Sequence, residues 1–267
     1  MPAFFTLAVI AYVCATGLAL AYLIQREELV YRIASVVTLA AWALHALALV
    51  KAWLETGRPP LGSVAEAVSV AVWVAVGLTM WVEREYGLKV LGAFVLPVVL
   101  MLSVSIARPL GLGPMNRALS SAWLWVHIAL ALVGIAAFVL NFAGALMYLL
   151  QERQLKGKRP GAVYYRLPSL QTLDRLTYRT LALGFPFLTT AIILGSLWAS
   201  TAWGSPFAFD PLVVLSFVAW AVYAATLAGR AAAGWHGRRA AYFSILGFLA
   251  LVLTLGAGLF LPGGHGS

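Results

Sequence analysis

Cysteine and charge are the two things this chain of 267 residues nearly does without. Its single cysteine, Cys14, lies inside an apolar run, which excludes an intrachain disulfide and argues against a thiolate metal site. Only 10% of the residues are charged and 63% are hydrophobic, against about 25% and 45–50% in soluble domains. The chain therefore reads as a membrane protein along its whole length, not as a soluble domain with an anchor. Acidic residues are half as common as basic ones, 9 against 18, giving a net charge of +9. In a soluble protein that balance would point to nucleic acid. Here the basic residues fall between apolar runs, where they set orientation against the lipid bilayer, and no nucleic-acid partner is expected. GxSxG, P-loop and HExxH patterns are also missing, which removes the corresponding hydrolase, nucleotide and metalloprotease readings. Without a CxxCH the chain carries no covalently attached c-type haem of its own. No basic stretch precedes the first apolar run, so that run reads as a retained helix and not as a cleaved signal.

What the chain does have is apolar length. Crossing the hydrocarbon core takes roughly 20 mostly apolar residues. Eight stretches meet that need: Ala3–Ile24, Ile33–Trp53, Ala65–Val82, Val90–Ala107, Ala122–Leu150, Leu181–Trp203, Leu212–Gly229 and Ala240–Leu261. The expected fold is all-α, a polytopic bundle of about eight transmembrane helices forming one domain over 1–267. Pro97 and Pro186 each remove a backbone donor inside a stretch and are expected to kink it. Between Gln151 and Arg179 lies the one sizeable loop; its part Leu170–Arg179 reads either as a short amphipathic helix on anionic headgroups or as charge that enforces topology.

Fourteen of the eighteen Lys and Arg residues fall in the first, third, fifth and seventh loops. The other side has only Lys51, Arg58, Arg108 and Arg117. The basic side should be cytoplasmic, which puts both termini on the extracytoplasmic side. His127, near the outer end of the fifth stretch, and His265, in the tail after the eighth, then share the outer face. So does the charge-poor turn Trp203–Pro211, with Phe207, Phe209 and the helix-capping Asp210. Trp125 flanks His127 in sequence. Two imidazoles on opposite sides of one iron, with aromatic rings to stack on a macrocycle, are what a haem site requires. The competing reading is an ordinary interfacial aromatic belt with unrelated surface histidines. Glu66, at the outer start of the third stretch, could pair with Arg58, cap its helix or serve the site. His45 lies embedded in the second stretch, either a functional group or a core histidine bonded to a neighbouring helix's carbonyl.

Several segments together resemble the haem-handling superfamily that includes the cytochrome c synthesis proteins CcsA, CcmC and CcmF, and more closely its short HemX-like branch. Gly62–Ala67 is similar to the family's loop-to-helix segment. Trp123-Leu124-Trp125-Val126-His127 matches the family's first outward histidine. Gly184–Thr189 and Gly195–Ala199 match the helix before the tryptophan-rich loop, and Trp203–Pro211 stands where that loop would be. Gly234-Trp235-His236-Gly237-Arg238-Arg239-Ala240 matches the connection before the last helix, and His265 falls at the second outward histidine. The chain departs from the pattern at Phe207 and Phe209, where the family has tryptophan, and at Ala228, where CcsA proteins carry an embedded histidine.

The resemblance implies non-covalent haem b at the extracytoplasmic face. His127 and His265 would be the iron's axial ligands. Trp203, Phe207, Phe209, Asp210, Trp125 and Glu66 would surround the cofactor, with His45 a weaker candidate. It implies binding and presentation, not bond-making by this chain, so the chain is expected to be no enzyme, or at most part of a haem lyase complex. A bacterial cytoplasmic membrane is the expected location and a cytochrome c assembly protein the expected partner. The alternative is a HemX-like factor that binds no haem and acts on glutamyl-tRNA reductase through the basic loop 151–179.

Overall fold

The computed structural model describes residues 2–25, 27–107, 122–157, 164–203 and 211–260. Among these, all regular structure is helical: α1 (Pro2–Gln25), α2 (Glu28–Thr56), α3 (Val64–Tyr86), α4 (Gly92–Ile106), α5 (Ala122–Lys156), α6 (Leu170–Trp203), α7 (Pro211–Ala232) and α8 (Arg238–Phe260). Local chemistry sets the ends. Gly57 and Gly87, both left-handed, stop α2 and α3. Ser63 opens α3 by accepting from the backbone N–H of Glu66, and Ser169 opens α6 in the same way toward Thr172. Gly234 holds φ at +63°, which lets the Trp235 N–H reach back to the Gly229 carbonyl at 2.9 Å and close α7. The Gly-Trp connection read from the sequence is thus a helix stop, with Trp235 folded over Gly229 and against Phe243.

Successive helices pair as α1–α2, α3–α4, α5–α6 and α7–α8. The pairs join through α1 with α4, α3 with α5, and α5 with α8. Alternation of direction gathers the starts of α1, α3, α5 and α7 with the ends of the others at one rim. Lys51 of α2 lies over Phe4 of α1 there. The opposite rim is the basic one. At that rim Arg166 donates to the Leu23 carbonyl at the end of α1, and Asp174 of α6 takes Arg230 of α7 at 2.8 Å and the Gly237 N–H at 3.1 Å. Lys89 pairs there with Glu28 at 2.9 Å, and that carboxylate holds the ammonium above its ordinary range.

Lipid is as apolar as these helices, so close packing and interhelical hydrogen bonds must hold them together. The α5–α6 pair shows both. A Cβ on Gly184 would lie 3.0 Å from Phe138. Asn141 donates from its amide to the Thr177 carbonyl at 2.7 Å. Phe138 stacks on Tyr223 of α7 with centroids 3.8 Å apart, both fully buried. The outward faces carry exposed Ile24, Val36, Leu197 and Leu253, the surface a lipid-facing bundle presents.

Among the described residues seven helices are long and apolar enough to cross a membrane; α4 is the short one, with 15 described residues. Several helix ends differ from the sequence reading, most of all those of α5 and α6. Leu170–Arg179 is not a separate surface helix but the opening turns of α6, which runs unbroken for 34 residues through Pro186. Leu173, Thr177 and Leu181 are buried against the bundle, which binds this segment to the helix that follows. At 35 residues α5 is about 50 Å long, well beyond the core thickness of about 30 Å.

Candidate functional site

His127 sits in the second turn of α5 at the less basic rim. Its imidazole is half-buried and lies across the backbone of α6. Nδ1 is 2.6 Å from the Ala191 carbonyl oxygen. A carbonyl can only accept, so Nδ1 carries the proton and Nε2 the lone pair. One turn further along α6, Gly195 underlies the ring: a Cβ there would stand 2.8 Å from Cε1 and 2.9 Å from Nδ1. Neither Ala191 nor Gly195 is among the site residues expected from sequence, although Gly195 opens the matched segment Gly195–Ala199. The available signal was their small-xxx-small spacing, which marks a close helix approach.

The remaining sequence-derived site residues divide. Trp125 is half-buried, two positions before His127, a spacing that puts it on a different face of α5. Trp203 is the last residue of α6. His265, Phe207, Phe209 and Asp210 lie outside the described residues. The helix ends that carry those segments do converge, with Gly258 of α8 against Val64 of α3 and Leu212 of α7. From Phe260 to His265 the chain can span at most about 17 Å. Among the described residues no group of three or more His, Cys, Asp or Glu could hold a metal ion.

Glu66 is fastened. Its two oxygens accept from the two terminal nitrogens of the Arg58 guanidinium, end-on, at 2.8 and 3.1 Å, and one also accepts the Gly62 N–H at 2.7 Å. The pair is nearly buried, with side-chain exposures of 4% for Glu66 and 15% for Arg58. A bidentate guanidinium–carboxylate bond of this kind fixes the loop before α3. It also occupies one of the few cations at this rim.

His45 is fully buried between α1, α2 and α3. Nε2 is 2.9 Å from the Ser69 hydroxyl and Nδ1 3.2 Å from the Tyr12 hydroxyl. The rings of Phe5 and Tyr12 meet it edge-on. Both nitrogens thus meet hydroxyl groups of neighbouring helices, where a backbone carbonyl was the partner expected. His236 is exposed at the basic rim, its Nδ1 2.6 Å from the Gly234 carbonyl oxygen.

These features define an integral membrane helical bundle whose polar chemistry is concentrated at its two rims and in one buried histidine network. The chain belongs to the cytochrome c assembly family: the family described as "Cytochrome C assembly protein" matches residues 61–263, from just before α3 to beyond α8. The α1–α2 hairpin precedes that match. The cytochrome c biogenesis protein CcsA of Synechococcus sp. (strain CC9902) is 32% identical over 244 residues, 81% of this chain and 80% of its own length. Its counterpart from Guillardia theta is 30% identical over 234 residues, 80% and 78%. The solved structure titled "Cytochrome c Heme Lyase CcmF" shares the fold with a TM-score of 0.66 at 20% identity; it covers 97% of this chain, which spans 46% of the lyase's length.

Proposed function

We propose that this protein binds haem b non-covalently at the extracytoplasmic rim of a bacterial cytoplasmic membrane and presents it to a cytochrome c assembly partner. The observation that carries this reading is the 2.6 Å contact between His127 Nδ1 and the Ala191 carbonyl oxygen. Nδ1 is committed to that carbonyl, so the lone pair an iron needs is on Nε2. A histidine held for ligation is normally fixed in this way, its second nitrogen donating to a carbonyl. His265 would supply the opposite ligand, and the Trp203–Pro211 segment the stacking surface. When bound, the haem supplies an iron that cycles between ferric and ferrous. This chain's residues would hold it, orient it and shield it. No bond to an apocytochrome is made by these residues alone, so the protein acts as the haem-holding part of a larger assembly.

Arg58 is committed to Glu66, which takes it away from any haem propionate. The alternative client, glutamyl-tRNA reductase acting through loop 151–179, is less favoured. Part of that segment's charge serves internal contacts: Asp174 pairs with Arg230, and Arg166 donates to the Leu23 carbonyl.

The test is an absorbance spectrum of the full chain purified from cells supplied with haem. A Soret band that sharpens and shifts on dithionite reduction is expected, with a pyridine haemochrome typical of haem b. Protein that stays haem-free under those conditions would overturn the reading.

A further inference from the structure

We propose that Ala191 and Gly195 of α6 form a positioning cradle that fixes the tautomer and tilt of His127 and thereby sets its strength as an iron ligand. The inference rests on the haem reading above and goes beyond it by naming residues that do not touch the cofactor. Three observations carry it. The first is the 2.6 Å contact from Nδ1 to the Ala191 carbonyl, which excludes the other neutral tautomer. The second is the room at Gly195. A Cβ at that position would stand within 3 Å of two ring atoms and 3.6 Å from Nε2, so this ring position requires glycine. The third is the rigidity of the platform. Asn141 binds Thr177 across the same helix pair, and Gly134 lies close to the Gly184 carbonyl and Leu188.

The crowded atoms are the far end of a side chain and not backbone, so a methyl group at 195 would push the ring aside without unfolding the bundle. That displacement breaks the bond to Ala191. An imidazole that donates from Nδ1 to a carbonyl is the more basic ligand, and loss of such an outer partner typically lowers metal affinity about 10–100-fold. The more basic imidazole also favours ferric over ferrous iron, so its loss raises the midpoint potential. A role in helix packing alone would predict neither change.

The experiment uses the full chain in detergent, titrated with haem, in wild type and three variants. Gly195→Ala is the cradle variant, and His127→Ala removes the ligand. Gly184→Ala is the packing control: its new methyl would crowd Phe138 at the same helix interface, away from the imidazole. Gly195→Ala should weaken haem binding at least tenfold and raise the midpoint potential. In the haem-free protein it should turn the single His127 tautomer, read by 15N imidazole shifts, into a mixture. Gly184→Ala should leave all three at wild-type values. If His127→Ala abolishes the spectrum while Gly195→Ala keeps wild-type affinity, potential and tautomer, the cradle is wrong and the ligand assignment stands. Equal effects of Gly195→Ala and Gly184→Ala would also overturn it, as general loosening of α5 and α6. A wild-type spectrum in His127→Ala would remove the haem reading and the cradle together.

Discussion

Trp42 of α2 and Trp73 of α3 lie face to face, centroids 4.7 Å apart and planes within 9°. Each indole N–H donates to the other residue's carbonyl, at 2.9 and 3.2 Å. This reciprocal clasp joins the α1–α2 hairpin to the region matched by the family. Replacing one tryptophan by phenylalanine keeps a ring but leaves a carbonyl without its donor, at about 1–3 kcal/mol. The double variant Trp42→Phe/Trp73→Phe should show a coupling of about 0.5–1.5 kcal/mol beyond the sum of the singles. Unfolding in detergent measures it; strict additivity would mean that the two rings stabilise the junction independently.

Arg58 and Glu66 should behave as a fastener. Removing one partner of a buried ion pair leaves an uncompensated charge, at about 3–5 kcal/mol. Glu66→Ala should therefore lower thermal stability sharply, and Arg58→Ala similarly. The double replacement by a well-packed apolar pair should recover much of the loss. Haem bound by the surviving folded fraction of Glu66→Gln should keep its absorption maxima; a shifted Soret band would instead place Glu66 at the cofactor.

His45 should matter for stability and not for the spectrum. Its removal strands the buried hydroxyls of Tyr12 and Ser69, each at about 1–3 kcal/mol. His45→Phe should lower the unfolding temperature by several degrees and leave the haem spectrum as in wild type. Tyr12→Phe combined with Ser69→Ala should restore part of the stability of His45→Phe, because the stranded groups are gone. Loss of the Soret band in His45→Phe would make this histidine a ligand.

Orientation is open to direct measurement. The basic rim holds Arg153, Arg175 and Arg239, all exposed, and the positive-inside rule puts that rim in the cytoplasm. Reporters fused at either terminus should report an extracytoplasmic location, and one inserted at 157 a cytoplasmic one. The reverse pattern would move His127 to the cytoplasmic face and with it the proposed site.

The eight helices were readable because unbroken apolar length is a strong signal. Their ends were not, because hydropathy fades before the helix does. The start of α6 shows why. Leu170, Leu173, Thr177 and Leu181 follow a helical spacing, but Asp174, Arg175 and Arg179 between them lower the apolar content enough to suggest a loop. At the site, His127 stood out through its Trp-Leu-x-x-His setting. Its partner did not, because a backbone carbonyl acceptor leaves no side-chain signature, and Gly195, although it opens the matched segment Gly195–Ala199, has no side chain to mark it as a contact of His127. The network of His45 with Tyr12 and Ser69 joins residues 33 and 24 positions away, pairs that no local pattern reveals. Glu66 with Arg58 was readable as one option because both residues fall within one short loop and the helix turn after it.

The central claim is that two imidazoles, one of them His127, hold a single iron at one rim of the bundle. Electron paramagnetic resonance of the ferric haem-loaded protein tests it most directly. Wild type should show a low-spin signal of the bis-imidazole type, and His127→Ala and His265→Ala should each convert it to high spin, with external imidazole restoring low spin in either variant. A low-spin signal unchanged in both variants would contradict the account.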